Sequence, residues 1–169
     1  MAAPASADQN DPRLEPLFVT LQSASDLNEV GAAEQAIWGI WMESGDDDVD
    51  QLLNQGSIQM SFRSYGAALG YFNKVIELRP DFAEGWNKRA TVYYLMGEYT
   101  KSIEDCRKVL ALEPRHFGAL SGLGLIYTQL DDDANALDAF EKAAQVHPHL
   151  QNVETIIRRL KARLGRQDV

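Results

Sequence analysis

Pro80, Pro114 and Pro148 fall at a constant interval of 34 residues. Proline is the residue least tolerated inside a helix, so a fixed proline interval marks a recurring helix end. The flanking residues repeat in the same register. Steps of 34 lead from Leu52 to Trp86 and Leu120, from Gly56 to Ala90 and Gly124, and from Ala68 to Ser102 and Ala136. They also lead from Phe72 to Cys106 and Phe140, and from Val75 to Val109 and Ala143. The chain therefore carries three tandem units of one design. Each small residue has a reason: two helices of a pair cross where their backbones come close, and a large side chain there would overpack the contact.

A large apolar residue, a small residue four later, an aromatic, a small residue, an aromatic and a closing proline resemble the tetratricopeptide repeat (TPR). The windows are 49–82, 83–116 and 117–150. The third matches most fully, with Leu120, Leu123, Gly124, Tyr127, Ala136, Phe140, Ala143 and Pro148. The second departs at Arg89, Ser102 and Cys106, and the first at Gln55 and Gln59. The resemblance implies an all-α fold, a right-handed α-solenoid of stacked antiparallel helix pairs. In each pair a first helix, A, precedes a second, B. The expected helices run to about Phe62 and over 65–78, then near 82–96, 99–112, 116–130 and 133–146.

Residues 1–12 are small and polar, with two prolines, and read as disordered. Leu14, Leu17, Phe18 and Leu21 make a helical stripe, as do Leu27, Val30, Ala33, Ile37 and Trp41 after the break at Ser23–Asp26. Residues 13–48 thus read as a degenerate N-terminal helical repeat, without the closing proline. Trp38 and Trp41 read as its core if the pair packs as a repeat, and as an exposed patch marking a partner site if it does not. Past the third repeat, 151–165 reads as a capping helix whose apolar face is Val153, Ile156, Ile157, Leu160 and Leu164. Residues 166–169 form a fraying tail.

The net charge of −9 argues against a general nucleic-acid binder, which needs clustered Lys and Arg. No apolar run approaches the roughly 20 residues that span a bilayer. The opening residues lack a charged region and an apolar core, so they do not read as a signal peptide. They are either a disordered start or a mature end left by processing. The expected setting is soluble and cytoplasmic, with a processed form in an organelle or exported compartment as the alternative. The one cysteine, Cys106, excludes an intrachain disulfide.

Catalytic chemistry finds no frame here. There is no Ser/His/Asp set, no glycine-rich phosphate loop and no recognisable carboxylate pair, so the chain is not expected to be an enzyme or to hold a cofactor or metal. His116, His147 and His149 stand at repeat junctions and read as solvated loop histidines, since two histidines two residues apart with no thiolate make a poor metal site. Cys106 takes a core position and reads as a buried, inert thiol. Asp131, Asp132 and Asp133 lack the alternating acids and glycine of a calcium loop and read as a turn that caps the following helix.

The family's binding positions lie on the concave face of the A helices. By register the groove is formed by Asn54, Ser57, Asn87, Lys88, Thr91, Ser121 and Leu125, with Arg159 of the capping helix. The amides of Asn54 and Asn87 suit an extended peptide, because an amide both donates and accepts. The carboxylate clamp of TPR co-chaperones is not expected, since Leu53, Ser57, Lys88, Gly118 and Gly122 stand at its five positions. The resemblance implies a protein-interaction module that binds a peptide segment or helix of a partner protein. The chain is expected to be a monomer, with an oligomer left open. The alternatives are a stable subunit or assembly factor whose groove is filled by its own N-terminus or a neighbouring chain, and a metal-dependent protein using the histidines.

Overall fold

The computed structural model describes residues 8–167, and among them stand nine helices and no strand. α1 (Leu14–Ser23) and α2 (Leu27–Trp41) precede three A–B pairs. These are α3 (Asp47–Ser61) with α4 (Tyr65–Leu78), α5 (Ala83–Leu95) with α6 (Tyr99–Leu112), and α7 (Phe117–Gln129) with α8 (Asp133–Val146). α9 (Val153–Gln167) follows. Each B helix packs on the next A helix, and α9 packs on α8, which gives the α-solenoid its order.

The three A–B turns have one geometry. Arg63, Gly97 and Asp131 adopt positive φ of 58°, 76° and 56°. The next residue then bonds back across the turn: the N–H groups of Ser64, Glu98 and Asp132 reach the carbonyls of Gln59, Tyr93 and Tyr127, each at 2.9 Å. This double-bonded ending satisfies carbonyls that a helix terminus leaves free. In the third turn Asp132 also caps α8 by accepting from the Asn135 N–H, so the turn reading for Asp131–Asp133 holds. Asp133 itself pairs with Arg163 of α9.

Packing within each pair follows a size match. A Cβ on Gly56 would lie 2.5 Å from the Phe72 ring, and one on Gly124 would lie 2.7 Å from the Phe140 ring. The middle pair reverses both sizes. Ala90 replaces glycine and Cys106 replaces phenylalanine, so the contact stays filled. Cys106 is buried and its thiol is pushed up to about 12, chiefly by burial. Arg89 is half-buried and ties three helices together. It forms two bonds to Asp105, at 2.7 and 2.8 Å, and one to Asn73 at 2.8 Å.

The N-terminal hairpin is helical as expected, but it lies along the edge of the stack rather than on its end. Its core residues Phe18, Ile37 and Trp41 pack with Phe117, Val146 and Leu150, which belong to the later junctions. Three consecutive B-to-A junctions are bridged. At the first, Gln9 accepts from the Ala83 N–H at 3.1 Å and donates to the Asp81 carbonyl at 2.7 Å. Gln9 thereby caps α5, whose own N-cap residue, Phe82, offers no side-chain acceptor. At the second junction Arg115 bonds Glu15 at 2.8 Å and lies over the Phe18 ring. At the third, Gln22 reaches the Gln145 carbonyl and Glu34 lies 3.3 Å from His147 Nε2.

Two expectations are corrected by this brace. Residues 8–12 are folded, with Asp8, Gln9 and Asp11 buried, because the first junction gives their side chains partners. Residues 1–7 of the segment expected to be disordered lie outside the described residues. His116 and His147 are not solvated: both are buried beneath the hairpin.

Candidate functional site

The A helices turn one side chain per turn toward a shared face. Glu84, Asn87 and Lys88 stand in the first turns of α5, and their chemistry is internal. Asn87 Nδ2 donates to both Glu84 oxygens at 3.1 Å, and Lys88 Nζ lies 3.3 Å from Glu84 Oε1. His116 Nε2 contacts Glu84 Oε2 at 3.1 Å. His116 Nδ1 accepts from the Ala119 N–H at 3.1 Å and caps α7, which leaves Nε2 as the nitrogen that donates to Glu84. Burial pushes the Glu84 carboxyl up, but the His116 bond, the Lys88 charge and the Asn87 bond outweigh it and hold the group below the usual range.

The brace seals this network. The Trp41 indole stacks on His116, and Trp38 meets the same imidazole edge-on, with ring centroids 5.5 Å apart. A Cβ on Gly118 would lie 2.6 Å from the Trp38 ring, so glycine at that position admits the tryptophan. The A-helix face is therefore covered where α5 and α7 begin.

Beyond the covered end the face opens into a trough. A cleft of about 300 Å³ lies between α5 and α7, lined in part by Thr91, Leu95, Ser121, Gly122 and Leu125. A second cavity, of about 430 Å³, lies where α7 and α8 meet α9, walled by Leu125, Phe140, Ile156 and Leu160. Leu125 belongs to both and remains 43% exposed, so the two form one surface. Gly122 lines the first cleft without filling it; a Cβ there would meet nothing nearer than Cys106 Sγ at 3.8 Å.

The residues expected in the groove divide accordingly. Thr91, Ser121 and Leu125 line the open trough, Arg159 stands at its far rim, and Asn87 reaches its covered end. The Thr91 hydroxyl bonds its own helix at the Asn87 carbonyl, whereas the buried Ser121 hydroxyl has no partner among the described residues. Lys88 is committed to Glu84. Asn54 is exposed on α3 and Ser57 bonds the Leu53 carbonyl, and neither lines the trough.

The trough also contains residues that the register did not single out as binding residues. Ile156, on the apolar face of the capping helix, also walls the second cavity. Tyr94 lies one turn beyond Ala90, on the side facing α7. His116 could have been found, because the same register position holds Phe82 and Leu150, and an apolar position predicts burial.

Comparisons with known proteins agree with this architecture. Family models described as tetratricopeptide repeat match residues 83–116 and 118–149. A TPR repeat-containing protein of Rhizobium etli is 34% identical over 153 residues, which is 90% of this chain and 75% of that protein. The small glutamine-rich tetratricopeptide repeat-containing protein 2 of Mycosarcoma maydis is 29% identical over 59% of this chain, but only 28% of that protein is covered. Among solved structures, the Sgt2 TPR domain from Aspergillus fumigatus superimposes with a TM-score of 0.67 at 21% identity, covering 73% of this chain and 83% of that one. The first TPR of Spaghetti (RPAP3), bound to an HSP90 peptide, gives 0.66 at 19% identity, covering 69% and 93%.

Proposed function

The chain belongs to the tetratricopeptide repeat family, and from that premise we propose that it is a non-enzymatic interaction module that takes a peptide segment of a partner protein in the trough between α5, α7 and α9. One observation carries the reading: Gly122 leaves an open cleft, floored by Cys106 and continuous through Leu125 with the α9 cavity. An apolar anchor would fill the cleft. The neighbouring structure with a bound HSP90 peptide is consistent with peptide binding on this scaffold, though it shares little sequence.

Carboxylate-clamp binding is not part of this reading. Leu53 is buried, Ser57 is bonded to its own helix, Lys88 is paired with Glu84, and Gly118 lies beneath Trp38. No set of free donors remains there for two carboxylates.

A second reading is favoured at one end of the face. The hairpin covers Glu84 and Gly118, so that end is occupied by the chain's own N-terminal segment and only the α7–α9 end is left for a partner. No described helix is long and apolar enough to cross a membrane.

The test is Gly122→Met. The Cβ fits, and the remaining side chain would run into the cleft. A randomised peptide library displayed on phage should yield binders on the wild-type chain that Gly122→Met fails to retain, while its melting temperature stays at or above that of the wild type. Equal retention by both proteins would place the binding surface elsewhere.

A further inference from the structure

The α9 cavity adds a chemistry that the Gly122 cleft lacks. Leu125, Phe140, Ile156 and Leu160 make its wall apolar, and Arg159 and Arg163 stand at its rim. Arg163 is neutralised by Asp133. Lys88, the cation nearest the covered end of the face, is neutralised by Glu84. Lys161, on the same helix as the two arginines, pairs with Glu141 at 2.7 Å. Arg159 is exposed and has no carboxylate partner among the described residues.

What sets Arg159 apart from the other cations without an ion pair among the described residues, such as its neighbour Arg158, is that it lines an apolar cavity. A guanidinium presents a planar fork of donors that matches a carboxylate, and an apolar wall beside it limits competition from water. The cavity of about 430 Å³ lies within the usual range for clefts that seat a ligand group.

We infer that the trough selects a partner segment in which a large apolar side chain lies next to a carboxylate, with the apolar group seated in the α9 cavity and the carboxylate on Arg159. This rests on the peptide-binding reading above. It gives α9 a second role. The helix closes the stack through Val153 and Leu160, and it also supplies one wall of the cavity and, in Arg159, a lining cation without a carboxylate partner among the described residues.

The experiment selects a randomised phage-displayed peptide library on three proteins: wild type, Arg159→Glu and Gly122→Met. The wild-type pool should be enriched in Asp or Glu beside Leu, Ile, Met or Phe. A synthetic peptide from that pool should bind Arg159→Glu about tenfold more weakly or worse, as expected for loss of a charge-assisted contact. The pool selected on Arg159→Glu should keep its apolar preference and lose its acidic one. Arg159 is exposed, so the melting temperature of the variant should match that of the wild type. A wild-type pool without an acidic preference, or an affinity unchanged by Arg159→Glu, overturns the carboxylate assignment and leaves the trough standing. A pool that binds Gly122→Met as well as wild type, or no selectable pool at all, overturns the trough reading and this inference with it.

Discussion

The indole of Trp41 lies flat against the imidazole of His116, with ring centroids 4.1 Å apart and planes 9° from parallel. Through this pair the N-terminal hairpin grips the junction between the second and third repeats. Trp41 also contacts Phe18 and Phe117, while its Nε1 is buried with no hydrogen-bond partner among the described residues. Trp41→Ala should therefore cost about 3–5 kcal/mol in a urea titration, the usual range for a deleted core aromatic. Trp41→Phe removes the unsatisfied N–H along with some volume, and should cost clearly less. Similar losses for the two variants would show that the indole nitrogen is not a liability.

Glu84 is the acceptor for His116 and Asn87 and the counter-charge of Lys88. Removing it by Glu84→Ala strands two polar partners in the interior, His116 and Asn87, and takes the counter-charge from the half-buried Lys88. The expected loss is about 3–5 kcal/mol, the range for breaking a buried pair by deleting one member. Chemical denaturation checks this; a loss below about 1 kcal/mol would mean that water takes over the carboxylate's bonds.

Two glycines two residues apart on α7 should respond oppositely to alanine. A Cβ on Gly122 would make only an ordinary contact, with Cys106 Sγ at 3.8 Å, so Gly122→Ala should stabilise the helix by about 1 kcal/mol through helix propensity. A Cβ on Gly124 would lie 2.7 Å from the Phe140 ring, so Gly124→Ala should destabilise by about 1–3 kcal/mol through overpacking. Melting temperatures that move in the same direction would refute the packing assignment.

The size match between Ala90 and Cys106 predicts coupling. Cys106→Phe alone should overpack the second pair and cost about 1–3 kcal/mol. Adding Ala90→Gly recreates the arrangement of Gly56 with Phe72 and should recover much of that loss. A double-mutant cycle would read this as a non-additive term, and strict additivity would sink it. In the native wild-type chain, the thiol, pushed up to about 12 and buried, should resist alkylation until the protein unfolds.

Stability should fall on mild acidification. Burial pushes the His147 imidazole below its usual value near 6.5, against the opposing pull of Glu34. The unfolded chain then binds more protons at this site than the folded one, so stability rises with pH up to about that value and declines below it. Glu84 acts in the same direction at lower pH. Its carboxyl is held down in the fold, so its contribution is present above the unfolded value near 4.5 and is lost as the pH falls through the folded one. Urea midpoints measured across this range should slope for wild type and flatten near neutrality for His147→Phe. An equal slope in the two proteins would exclude His147 as the source.

The repeat stack was legible in the sequence because proline, glycine and aromatic positions recur in one register, and each carries a local steric reason. The placement of the hairpin was not. The stripe Leu14, Phe18, Leu21 shows that a face is buried, and says nothing of what buries it. One signal did point to the edge rather than the end. Gln55 and Gln59 stand where the next repeats carry Arg89 with Tyr93 and Leu123 with Tyr127. Polar residues there suit a stack whose first layer faces water, and Gln55 lines an open surface cavity with Gln51 and Tyr71. The trough was half legible. Register found Thr91, Ser121 and Leu125, but the loss of Lys88 and much of Asn87 to Glu84 required noticing a carboxylate three and four residues earlier on the same helix.

A stack of repeats is ordinarily a one-dimensional object, in which each layer touches only its neighbours and can fray from either end. The bond from Gln9 to Ala83 joins residues 74 apart in sequence, and that from Gln22 to Gln145 joins residues 123 apart. With the Glu15–Arg115 bond, these contacts tie the N-terminal segment to all three junctions, so the layers cannot melt one at a time without also releasing the hairpin. The brace makes a modular chain behave as one cooperative unit, at the cost of slower folding, because its long-range contacts close only after the junctions exist.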